Sequence, residues 1–70
     1  MKYGARNNFE GEVAEIKKGT LMCQVTVKIG DGLFISSVMT LDSLTDLGIE
    51  VGSKVRAHTK AVNVLLTADG

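Results

Sequence analysis

The chain predicts a mainly β fold, a small OB-like five-stranded Greek-key barrel carrying one short helix. Three observations carry that prediction. Successive runs of residues alternate, cleanly or nearly so, between apolar and polar side chains, the pattern of half-buried strands. Glycines fall between the runs and proline is absent, so the breaks have the composition of tight turns. One segment changes period: Leu41, Leu44 and Leu47 recur every three residues, which suits one face of a short helix.

The first strand is expected over Asn8 to Lys17, where Phe9, Gly11, Val13, Ala14 and Ile16 alternate imperfectly with Glu10, Glu12, Glu15 and Lys17. Gly11 inside it marks a bulge or a close approach of another backbone. Lys17-Lys18-Gly19-Thr20 then reads as a tight turn with a solvated basic tip. Leu21 to Ile29 has the cleanest alternation, with Cys23, Val25, Val27 and Ile29 on one side and Gln24, Thr26 and Lys28 on the other. Gly30-Asp31-Gly32 makes the hairpin back into Leu33 to Met39. In the helical segment Thr40 or Asp42 can cap the start, and Gly48 stands where a left-handed residue ends a helix. Glu50-Val51-Gly52-Ser53 turns into a strand over Lys54 to Thr59, Lys60 to Asn63 breaks the alternation, and Val64-Leu65-Leu66 forms a last short strand.

Seventy residues make a single domain, 1–70. A chain of this size buries only about 60% of its unfolded surface and commonly needs a staple. One cysteine, Cys23, excludes an internal disulfide, and with one histidine, His58, it cannot build a structural zinc site. Oligomerisation is left, and an apolar content of 44% is more than so thin a core hides. Eight basic and eight acidic residues cancel, which argues against a general nucleic-acid or membrane-surface binder. The start of the chain has no signal-peptide pattern, no run is long enough to span a membrane, and a free cysteine suits a reducing compartment, so the cytoplasm is expected. Cys23 on an apolar face is a buried, inert thiol, and without a nucleophile–base pair or a metal cluster an enzyme is not expected.

Three places offer donors suited to a small oxyanion. Gly4-Ala5-Arg6-Asn7 sets a guanidinium and a carboxamide on small residues, where backbone N–H groups can approach a ligand. Thr40 and Ser43 bring hydroxyls to a helix start. Lys60 lies between Thr59 and Ala61 with an ammonium beside backbone N–H groups. Plainer roles remain open for each: a terminal surface arginine, ordinary capping residues and a snorkelling lysine.

In order along the chain stand Ala5-Arg6-Asn7, Gly11-Glu12-Val13, Lys18-Gly19, Thr40-Leu41-Asp42-Ser43-Leu44, Leu47-Gly48, Gly52-Ser53-Lys54-Val55 and Lys60-Ala61-Val62-Asn63-Val64. This ordered set resembles the molbindin family of small molybdate-binding proteins, of the Mop or TOBE type, from about Tyr3 to Leu66. The resemblance implies strand exchange in a dimer, a homo-oligomer assembled as a hexamer from a trimer of dimers, and oxyanions at subunit interfaces. It implies one site at Arg6, Lys60, Thr40 and Ser43, with backbone donors at Ala5 and Ala61, and a second oxyanion site at Asn7, Gly19 and Thr20. Family members often carry serine where this chain has Gly4.

The ligand implied is molybdate or tungstate, with no organic cofactor and no metal cation held directly. Two cations balance a tetrahedral dianion, and neutral donors add direction. Sulfate is smaller and would leave donors unpaired. The function expected is therefore storage or buffering of molybdate in the cytoplasm, with no nucleic acid and no membrane as partners. A nucleic-acid-binding OB module would need a basic groove with stacking platforms, whereas Tyr3, Phe9 and Phe34 are the only aromatics. A protein-interaction or regulatory domain is the third reading.

Overall fold

A computed structural model describes residues 7–68. Strands β1 (Asn7–Lys18), β2 (Met22–Gly30), β3 (Leu33–Thr40) and β4 (Lys54–Thr59) form one sheet in the order β3-β2-β1-β4, and helix α1 (Leu41–Leu47) links β3 to β4. All pairings are antiparallel. The first half of β1 pairs with β4, from Asn7↔Thr59 to Glu12↔Lys54, and the second half pairs with β2, from Glu12↔Lys28 to Lys18↔Cys23. A strand that changes partner midway must coil, and the sheet curls around the side chains on its inner face.

Two features of β1 produce that curl. The register shifts between Val13 and Glu15, leaving Ala14 as the extra residue, which explains the imperfect alternation in this stretch. At Gly11 the backbone of β2 comes so close that an added Cβ would lie 2.6 Å from both the Lys28 carbonyl oxygen and Val27 Cγ1. Of the two roles expected for Gly11, the structure has the close approach, and the bulge lies at Ala14.

Val13, Cys23, Val25 and Val27 form the buried core from the inner face, and Leu44 of α1 closes it from one end. The strict alternation of β2 therefore does fix which side faces inward, and Cys23 is buried as expected. Helix α1 starts at Thr40 and ends at Gly48, whose φ of 66° is the left-handed conformation that glycine adopts without a Cβ penalty. Of its three leucines only Leu44 is fully buried, and Leu47 stays 60% exposed.

The fold differs from expectation at its end. Four strands are present among the described residues, not five: Ala61–Asn63 form a 3-10 turn, and residues 64–68 run on outside the sheet. Leu65 and Leu66 are each 90% exposed. An apolar run becomes a strand only where a free edge pairs with its backbone, and after the 3-10 turn this segment takes no place on an edge of its own sheet. No helix among the described residues is long and apolar enough to cross a membrane.

Candidate oxyanion-binding site

The start of α1 is built by Thr40 and Ser43. Thr40 has extended φ and ψ, so its hydroxyl can turn back onto the first helical turn. Its Oγ1 accepts from the Ser43 backbone N–H at 3.1 Å and donates to Ser43 Oγ at 2.9 Å. Thr40 is thus the cap, and Asp42 is the acidic residue of the first turn, favourable to the positive helix end. Because Thr40 gives its proton to Ser43, the Ser43 hydroxyl keeps its own proton for another acceptor. Both side chains are exposed.

Lys60 follows β4 directly and precedes the 3-10 turn, in which the Asn63 N–H donates to the Lys60 carbonyl at 2.9 Å and the Val64 N–H to the Ala61 carbonyl at 3.2 Å. The first N–H groups of such a turn have no partner within it, and Ala61 supplies one of them beside an exposed lysine. Arg6 and Ala5 lie outside the described residues. Arg6 immediately precedes Asn7 in the chain, and Asn7 pairs with Thr59, the neighbour of Lys60.

A groove of about 660 Å³ lies between β3 and β4. Val25, Val27, Ile35 and Val55 line its apolar interior. Met39 lines it from β3 and Thr59 from β4, so Thr40 and Lys60 each follow a residue on one of its two banks. The structure does not place Thr40, Ser43, Lys60 or Ala61 in the lining of that groove. It does not group Asn7 with Gly19 and Thr20: Asn7 opens β1 at the Thr59 end, while Gly19 and Thr20 follow Lys18 at the other end of that 12-residue strand. Gly19 instead donates its N–H to the Met22 carbonyl at 2.8 Å, and Met22 pairs with Thr40.

The cations of β4 are already engaged. Lys54 Nζ contacts Glu12 Oε1 at 2.9 Å, and Arg56 pairs with Glu10 while donating to Asn8 Oδ1 at 2.6 Å. The hydrogen bond from Lys54 and its charge hold the Glu12 carboxyl below its ordinary pKa, with Lys28 adding to the effect. Lys60 takes part in neither ion pair found among the described residues. The groove lining was not singled out from the sequence, although Val25 and Val27 were placed on one side of their strand by the alternation.

The chain matches the family model of the TOBE domain over residues 4–66. It is 35% identical over 68 residues to molybdenum-pterin-binding protein 3 of Clostridium pasteurianum, covering 97% of this chain and 100% of that protein. Its fold superposes with a TM-score of 0.89 on a molybdate-binding protein from Sporomusa ovata, at 35% identity and with 97% and 100% of the two chains covered. A third likeness, with a TM-score of 0.79 and 38% identity, is to the cytoplasmic molybdate-binding protein ModG in a molybdate-bound form, covering 87% of this chain and 43% of that one.

Proposed function

The chain belongs to the TOBE domain family, among its molbindins, and on that premise we propose that it is a cytoplasmic molybdate-binding protein that stores or buffers the oxyanion. Tungstate, a dianion of the same shape, is an alternative ligand. The protein acts without catalysis, as one domain over 1–70, and holds the free oxyanion without an organic cofactor. It works as a homo-oligomer, a hexamer made as a trimer of strand-exchanged dimers, with sites between subunits. The observation that carries this reading is likeness over the whole length of a molybdate-binding protein, at 35% identity.

In the primary site Arg6 and Lys60 neutralise the dianion. Ser43 supplies a hydroxyl donor, Thr40 orients that hydroxyl by donating its own proton to it, and the backbones of Ala5 and Ala61 supply N–H groups. Lys60 suits this role because its ammonium has no carboxylate partner among the described residues, in contrast to Lys54 and Arg56. A second oxyanion site, between subunits, draws on Asn7, Gly19 and Thr20, which one chain holds at opposite ends of β1.

The oligomer is supported by surface. The chain exposes 5791 Å², whereas a compact monomer of its mass is expected to expose about 4,200 Å². Large apolar side chains are among those exposed, including Leu65, Leu66 and Val62 after β4 and Leu47 on α1. A partner's strand lying in the groove between β3 and β4 would meet apolar walls and two open edges.

Calorimetric titration with molybdate, with sulfate as control, tests the proposal. Saturable molybdate heat with weak sulfate heat supports it. No heat, together with no rise in melting temperature on adding molybdate, would refute it.

A further inference from the structure

We draw no further inference here: the strongest candidate, the apolar groove between β3 and β4 with the exposed Val62, Leu65 and Leu66 that follow β4, belongs to the subunit contacts already proposed, and nothing in the structure shows what else covers it.

Discussion

Thr40 and Ser43 make adjacent contributions that substitution separates. Replacing Thr40 by alanine removes the only side-chain acceptor for the Ser43 N–H, a 3.1 Å bond at the start of a seven-residue helix. Losing such a cap costs about 1 kcal/mol. With only Leu44 buried, α1 has little packing to compensate. In a domain of this size 1 kcal/mol lowers the melting temperature by roughly 4–8 °C. Replacing Ser43 by alanine leaves the backbone bond to Thr40 in place and removes an exposed hydroxyl, so its stability should stay within about 0.5 kcal/mol of wild type. Binding should respond differently. A hydrogen bond to a charged group contributes about 1.5–3 kcal/mol, so Ser43→Ala should weaken molybdate binding by roughly 10- to 150-fold, and Thr40→Ala, which only frees the Ser43 hydroxyl to turn, should weaken it less. Thr40→Ser should restore both properties. Circular-dichroism melting without ligand and calorimetry with molybdate read the two effects. Wild-type melting of Thr40→Ala, or a loss of stability in Ser43→Ala as large as in Thr40→Ala, would refute the capping role of Thr40.

Three further outcomes follow from the geometry. Lys60→Ala should weaken molybdate binding by at least about 10-fold, while Lys54→Ala, whose ammonium is tied to Glu12, should leave it unchanged in the same titration. Gly11→Ala forces a Cβ against the Lys28 backbone and the buried Val27, so urea unfolding should show a loss of about 1–3 kcal/mol, and an unchanged midpoint would contradict the packing. The Glu12 carboxyl is held below its ordinary pKa by Lys54, so its contribution is present above the unfolded value and is lost as pH falls through the folded one. Urea midpoints of wild type and Glu12→Gln should therefore differ slightly at neutral pH and converge in acid; divergence in acid would reverse the sign.

Legibility varied with how local the cause was. The core side of β2 and the span of α1 were readable because strict alternation and the Thr40–Gly48 caps are local signals. The bulge was not, since imperfect alternation from Phe9 to Ile16 fits an extra residue at more than one position, and Gly11 had its own reason in the close approach of β2. Val64 to Leu66 read as a strand because they are apolar, but composition reports a demand for burial and not which edge meets it. At the proposed site, the sequence offers the donor types but not which cations are already paired. Lys54 and Arg56 are indistinguishable from Lys60 until the β1–β4 register sets Glu12 and Glu10 opposite them. The same register separates Asn7 from Gly19 and Thr20.

The central claim is that molybdate lies between copies of this chain. Native mass spectrometry of the full chain with molybdate added tests it most directly, because subunits and bound dianions are counted in one spectrum. Six-chain assemblies carrying molybdate are expected, with the dianion lost from single chains when the assembly is dissociated. Molybdate retained on single chains, or assemblies that bind none, would contradict it.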